Sequence, residues 1–138
     1  MPQQDHLHNS VKKALQRDGW KITGEQVYLV AGLRGVWIDL QAEYVNEDNF
    51  KQVVLIEIKS FADKNSIMNQ VHVAVGQYSV YRIILEKLQI ETDLYLAISQ
   101  AAYAIIWSEP PGTWSAERLG IKLLIIDEFT ESIVQWIP

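Results

Sequence analysis

Cysteine is absent from the 138-residue sequence, and so are internal repeats, low-complexity tracts and a glycine-rich phosphate loop. Without cysteine the chain can form neither disulfides nor thiolate metal sites. No apolar run approaches the roughly 20 residues that span a bilayer, and the first residues lack the charged and apolar regions of a signal peptide. We therefore expect a cytoplasmic protein that does not insert into membranes.

Cationic residues are also scarce: 12 Lys and Arg stand against 17 Asp and Glu, which gives a net charge of −5. Affinity for nucleic acid comes largely from Lys and Arg on phosphates. A DNA-binding chain of this charge must place its few cationic side chains together at the DNA, contact the phosphates through a bound metal ion, or leave DNA contact to a partner protein. Because 49% of its residues are hydrophobic and 21% charged, we expect residues 1–138 to form one globular domain.

One strongly apolar segment, VVLIEIKS at residues 53–60, nonetheless carries two charges. Side chains alternate along a strand, so Leu55, Glu57 and Lys59 share one face. Both faces are apolar at the start of the segment, which is typical of a central strand covered on both sides. A charge in such a strand needs a partner, a metal or the rim of a cleft. The simpler alternative is a Glu57–Lys59 ion pair at the solvated end of the strand.

A second carboxylate, Asp39, interrupts the strand-like segment GVWIDLQA at residues 35–42. Aspartate is depleted in strands. The polar residues 44–50 predict a hairpin, which would lay this strand antiparallel to the strand of Glu57. If the register makes them neighbours, Asp39, Glu57 and Lys59 converge. Two carboxylates can hold Mg²⁺ or Mn²⁺ while a lysine orients a water or a phosphate, so this pattern predicts a metal site with Asp39 and Glu57 as ligands.

A long helix is predicted over residues 66–87, because its apolar residues recur every three to four positions. Gln77 and Tyr81 lie on one face of that helix at i and i+4. One interpretation is a core tyrosine with a glutamine at its rim. The other brings Gln77 next to Asp39 and Glu57, where its side chain can contact a phosphate or a water at the predicted metal site.

Two loop cations, Arg34 and Lys64, flank the two charged strands and are candidate phosphate contacts together with Tyr81. The alternative for a lone loop cation is simple solvation. His6 and His8 stand at the start of a helix predicted over residues 5–17. They are two residues apart, which sends them to different faces, so we expect solvated histidines there.

The pattern Asp39…Glu57-Ile58-Lys59 resembles the active-site signature of the PD-(D/E)xK nuclease superfamily. Gln77 and Tyr81 match the Gln-x-x-x-Tyr element on the helix that follows the active strand in RecB-like members. The resemblance implies a restriction-endonuclease-like α/β fold with a mixed central sheet flanked by helices, and catalytic roles for Asp39, Glu57, Lys59 and Gln77. Many members carry an acid on the first helix, whereas this chain has Asn9 at the candidate position.

Four segments together resemble the XisH family: WIDLQAE at 37–43, EIKSF at 57–61, GQYSVYR at 76–82 and IVQWI at 133–137. Members of this family are cyanobacterial factors that control excision of a DNA element interrupting a nitrogen-fixation gene. The resemblance spans nearly the whole chain and implies a role in programmed DNA recombination beside a recombinase and a XisI-type partner protein. It does not imply that members cut DNA themselves.

Two hypotheses remain open. The chain is a Mg²⁺-dependent endonuclease, or it is a catalytically inactive accessory subunit that binds DNA only within a complex with a XisI-type partner. Self-association into a homo-oligomer is compatible with either. The other predicted elements are two short strands around Gly24, a strand, a helix and two final strands, over residues 20–23, 25–30, 93–98, 100–107, 121–126 and 132–137.

Overall fold

The computed structural model describes residues 6–61 and 66–138. Lys64 and Asp5 lie outside these residues. The described elements are α1 (His6–Arg17), β1 (Lys21–Ala31), β2 (Arg34–Val45), β3 (Lys51–Ile58), α2 (Ile67–Lys87), β4 (Asp93–Ser99), α3 (Gln100–Ala102) with a π-helical continuation (Tyr103–Trp107), α4 (Gly112–Leu119), β5 (Lys122–Asp127) and β6 (Ser132–Ile137).

The six strands form one mixed sheet in the order β1-β2-β3-β4-β5-β6. The first three strands form an antiparallel meander, and the predicted hairpin between β2 and β3 is confirmed. Two short strands around Gly24 were expected, but β1 is one continuous strand whose register shifts between Ile22 and Gly24. A β-bulge absorbs the extra residue and lets the ladder continue past the glycine.

The predicted long helix, α2, connects β3 to the parallel strand β4. Tyr78 anchors this crossover: its hydroxyl donates a 2.7 Å hydrogen bond to the Leu94 carbonyl and accepts one of 3.2 Å from the Lys122 amide. Burial raises the pKa of Tyr78 above its usual value. One tyrosine on α2 thereby binds the starts of both β4 and β5.

Two hydrophobic clusters among the described residues cover the two sides of the sheet. The larger cluster joins α2, the π-helical turn and the sheet, and includes Ile38, Leu55, Tyr78 and Trp107. The smaller cluster packs α1 against the sheet through Leu7, Val11, Ala14 and Leu15. The chain therefore has the expected α/β fold, a mixed sheet flanked by helices.

Two features of the second half differ from the expectation. The helix predicted over residues 100–107 is present but adopts π geometry from Tyr103. No element was predicted between residues 107 and 121, yet this segment contains α4, which ends at Gly120 in the left-handed conformation that glycine adopts at little cost. None of the described helices is long and apolar enough to cross a membrane.

Candidate metal and phosphodiester site

The candidate site lies where β2 and β3 stop pairing. The last pair of their ladder is Leu40 with Ile56, and the next residues toward the site are Asp39 on β2 and Glu57 on β3. Beyond that pair, side chains replace the backbone bonds: Asp39 Oδ2 accepts a 2.8 Å hydrogen bond from the Ile58 amide, and Glu57 Oε1 accepts one of 3.3 Å from the Asp39 amide. Each carboxylate thus binds the opposite strand and is held in place by it.

A cavity of about 380 Å³ opens at this point. Its walls come from β2, β3, α1 and α2, and they bring together five of the seven residues singled out from the sequence: Asp39, Glu57, Lys59, Gln77 and Tyr81. Strand alternation accounts for the first three, because Glu57 and Lys59 share a face and the hairpin register sets Asp39 opposite Glu57.

Glu57 has the most strongly perturbed acidity of the cavity residues. Its side chain is buried, and burial together with the neighbouring charge of Asp39 raises the pKa of Glu57 to about 8, against a usual value of 4.5. A hydrogen bond between the two carboxyl groups adds to the rise, whereas the Lys59 charge lowers it. Without a bound cation the pair therefore keeps a proton near neutral pH.

Lys59 does not form a simple surface ion pair with Glu57. Its ammonium lies 3.9 Å from Glu57 Oε2, and the glutamate side chain is only 8% exposed. Its backbone amide donates a hydrogen bond to the Ala97 carbonyl, which continues the parallel ladder. The lysine therefore extends from a rigid strand end into the cavity, with its charge available to a further group.

The α2 wall contributes Gln77 and Tyr81. Gln77 Oε1 is buried and accepts no hydrogen bond from the residues that the structure describes, so a water or a ligand is needed to satisfy it. Burial and the charges of Glu57 and Asp39 raise the pKa of Tyr81 above its usual value. Both side chains face the carboxylate pair, and Tyr81 also packs against the larger core.

The α1 wall differs from the expectation. His8 was predicted to be a solvated residue, but it is 4% exposed and lines the cavity. Its Nε2 lies 3.6 Å from Glu25 Oε1, and Lys12 binds the same glutamate at 3.1 Å. Asn9, the position compared with a catalytic acid, is exposed. The helical period explains this, because the buried stripe of α1 passes through His8 and Val11.

Trp37 is a cavity residue that sequence reasoning missed. It stands two residues before Asp39 on β2, so strand alternation already placed it on the face of the carboxylate. Arg34 is exposed at the start of β2 and is not part of the cavity wall. The two tryptophans considered from the sequence also lie elsewhere: Trp136 packs with Trp20 and Tyr95, and Trp114 is exposed on α4.

The donor set fits a hard cation. Asp39 and Glu57 supply carboxylate oxygens, and Gln77 Oε1 is a further oxygen at the same cavity. No cluster of three or more metal-binding His, Asp or Glu side chains occurs in residues 6–61 and 66–138. Mg²⁺ suits such a sparse set, because it is commonly held by one or two carboxylates and keeps several of its waters.

The fold and this cavity together define an α/β protein with a carboxylate pair at a split between two strands. The model of the XisH family, described as XisH protein, matches residues 1–134, and the chain belongs to that family. An XisH family protein from Nostoc punctiforme is 31% identical with a TM-score of 0.86, over 97% of this chain and 100% of that one.

A second solved structure has the same degree of likeness. It is an fdxN element excision controlling factor protein from Anabaena variabilis, 30% identical with a TM-score of 0.86, and the match covers 98% of this chain and 100% of that one. Comparison with curated proteins finds none that matches this chain. The family predicted from the sequence is thereby confirmed.

Proposed function

We propose that this chain acts in the excision of a DNA element and hydrolyses DNA phosphodiester bonds with Mg²⁺ bound at Asp39 and Glu57. The observation that carries the proposal is the carboxylate pair itself: buried Glu57 and half-buried Asp39 each accept a hydrogen bond from the opposite strand and face one cavity with Lys59 and Gln77. Burial and mutual repulsion raise the pKa of Glu57 to about 8, so the pair needs positive charge. A divalent cation supplies it. The excision role is supported by the similar protein from Anabaena variabilis that is described as an excision controlling factor.

The proposed reaction adds water across one ester bond. The water oxygen bonds to phosphorus, the bond from phosphorus to the leaving oxygen breaks, and that oxygen departs as a hydroxyl with a proton. A bound Mg²⁺ supplies Lewis-acid stabilisation of the charge that develops on the phosphate. Lys59 donates a hydrogen bond to a phosphate oxygen, and Gln77 Oε1 accepts a hydrogen bond from the attacking water and orients it. This is the chemistry of the restriction-endonuclease-like proteins that the sequence resembles.

Substitution of Lys59 tests whether the site is catalytically active. Lys59→Ala removes an interaction made mainly in the transition state, so cleavage should fall by on the order of a hundredfold while DNA binding changes little. Lys51→Ala is the matched control, because Lys51 is 55% exposed and pairs with Glu43 at 3.1 Å on the same pair of strands. Both variants are assayed on linear and branched DNA with Mg²⁺ or Mn²⁺, alone and with a XisI-type protein.

A second candidate function is that of an inactive accessory subunit, and the outer face of α2 favours it. Val73, Val80 and Ile83 lie on one stripe of the helix and are each about half exposed, at 55%, 51% and 53%. An apolar stripe of this kind suits a partner protein, here a XisI-type one. Val80→Lys should then abolish co-purification with the partner without changing the fold of the free chain.

Excision in cells decides between the two functions. If the chain is a nuclease, Lys59→Ala stops excision at normal protein level and Lys51→Ala does not. Normal excision by Lys59→Ala, with no cleavage by any form of the protein and loss of excision by Val80→Lys, would contradict the nuclease and support the accessory subunit.

A further inference from the structure

An exposed aromatic pair lies beside the two carboxylates. Trp37 lines the same cavity as Asp39 and Glu57. Tyr28 is its cross-strand neighbour on β1, and the two ring centroids are 4.5 Å apart. Tyr28 is 50% exposed and Trp37 45% exposed. Two large aromatic side chains are therefore left partly in water next to the candidate cleavage site.

The pair is held in place by the backbone beneath it. A β-carbon at Gly35 would overlap the Tyr28 ring, so the ring lies over a glycine that leaves room for it. This arrangement holds Tyr28 close to the hairpin, where it supports one side of Trp37. Tyr28 and Trp37 are held by each other and by the β1–β2 hairpin, since neither belongs to the two core clusters of the described residues.

The other large apolar residues that are exposed in residues 6–61 and 66–138 do not line the cavity. Trp114 and Phe129 are more exposed still, at 67% and 99%, but neither lines the cavity. Trp37 is two residues from Asp39 along a strand, a span of about 7 Å. That span is comparable with one nucleotide unit, so the base next to a phosphate held at Asp39 and Lys59 would reach the Trp37 ring.

We propose that Trp37, supported by Tyr28, stacks on an unpaired base next to the scissile phosphate, and that the preferred substrate is DNA with unpaired bases at a fork, flap or branch. This inference rests on the proposed function. A paired base keeps both faces within its duplex stack, whereas an unpaired base offers a face to the ring. Stacking on one aromatic side chain is worth roughly a five- to hundredfold gain in affinity.

Binding to matched oligonucleotides tests the inference. The dissociation constants are measured by fluorescence anisotropy for a forked DNA and for the fully paired duplex of the same sequence, with Ca²⁺ in place of Mg²⁺. The wild type should prefer the fork by about tenfold or more. Trp37→Leu should lose that preference, and Trp37→Phe should keep most of it. Trp114→Leu is the control and should leave it unchanged.

A second measurement needs no variant and so does not depend on how the hairpin tolerates substitution. A 5-iodouracil base in the unpaired arm of the fork is irradiated in the complex, and the cross-linked peptide is identified by mass spectrometry. The cross-link should fall on Trp37 or Tyr28. A cross-link confined to other residues overturns the inference.

Failure of the stacking inference is distinguishable from failure of the proposed function. If the wild type cleaves fork and duplex equally well and Trp37→Leu does the same, stacking is refuted while the nuclease stands. The inference is also refuted if Trp37→Leu weakens binding of the fork and of the duplex by the same factor. It is refuted as well if Trp37→Leu no longer binds a partner protein but binds DNA as the wild type does. If no form of the protein binds or cleaves any DNA, the proposed function fails and the inference fails with it.

Discussion

Replacing Glu57 by glutamine removes the most perturbed ionisable group of the cavity while keeping its shape. The amide oxygen can still accept the bond from the Asp39 amide, and the amide nitrogen can donate to the Asp39 carboxylate as the shared proton does. The main change is that residue 57 no longer ionises. Any dependence of stability on pH that comes from this glutamate must therefore disappear.

The expected change in the free energy of unfolding with pH follows from the pKa of Glu57, which is about 8 in the folded protein and 4.5 ordinarily. Below pH 4.5 the group is protonated in both states, and its contribution to stability is fully present. Between these values only the folded state holds the proton, so stability falls as pH rises, by up to about 1.4 kcal/mol per pH unit. Above pH 8 the contribution is lost, and the total change is about 5 kcal/mol.

Urea denaturation between pH 5 and pH 9 in metal-free buffer measures this loss. With a urea slope of about 2 kcal/mol per molar, the wild-type midpoint should fall by about 2–3 M across the range. Glu57→Gln should show little of this fall and be the more stable form at pH 9. Adding Mg²⁺ should raise the wild-type midpoint at high pH and leave Glu57→Gln unchanged, which calorimetry checks directly.

Glu43→Gln is the matched control, because Glu43 lies on β2 and pairs with Lys51 away from the cavity. It should reproduce the wild-type pH profile and the Mg²⁺ response. Parallel pH profiles for the wild type and Glu57→Gln would refute the reasoning about the buried proton. Equal Mg²⁺ binding by both would remove Glu57 from the metal site.

Three further substitutions test the same structure. Burial and, after it, the charge of Asp39 raise the pKa of Glu57, so in Asp39→Asn, where only burial remains, the fall of stability in the urea series should be smaller and should end at lower pH than in the wild type; an unchanged profile would contradict this. Tyr78→Phe leaves the Leu94 carbonyl and the Lys122 amide without their hydroxyl partner, which should lower the free energy of unfolding by about 1–3 kcal/mol in urea denaturation. Gly35→Ala should push the Tyr28 ring off the hairpin and change the near-ultraviolet circular dichroism of the Tyr28–Trp37 pair; an identical spectrum would mean that the glycine does not position the ring.

Much of the candidate site follows from local rules. Alternation along β3 puts Glu57 and Lys59 on one face, and the polar segment after Val45 sets the hairpin that brings Asp39 opposite Glu57. The helical period of α2 aligns Gln77 with Tyr81. These relations depend on neighbours in sequence or on one short loop, so the sequence alone was sufficient to predict them.

The errors fall where packing between distant segments decides the outcome. His8 lies on the buried stripe of α1, but the docking of α1 against β1, which places His8 beside Glu25, is a contact between segments distant in sequence. No element was predicted for the segment of α4, which lies between a tight contact of Gly112 with the Ile106 carbonyl and the left-handed Gly120.

The sequence by itself determined the α/β class and the residue types of the site, because alternation, helical period and hairpin chemistry are short-range, and the resemblance of four of its segments to the XisH family was sufficient to predict the family. Only the tertiary structure decided how the site behaves. The split between β2 and β3 buries Glu57 beside the half-buried Asp39, and burial with mutual repulsion is what raises the pKa of Glu57. The same split opens the cavity beside Trp37 and leaves Arg34 outside it, because β2 before Leu40 pairs with β1 alone and its distance from β3 there depends on what packs between them.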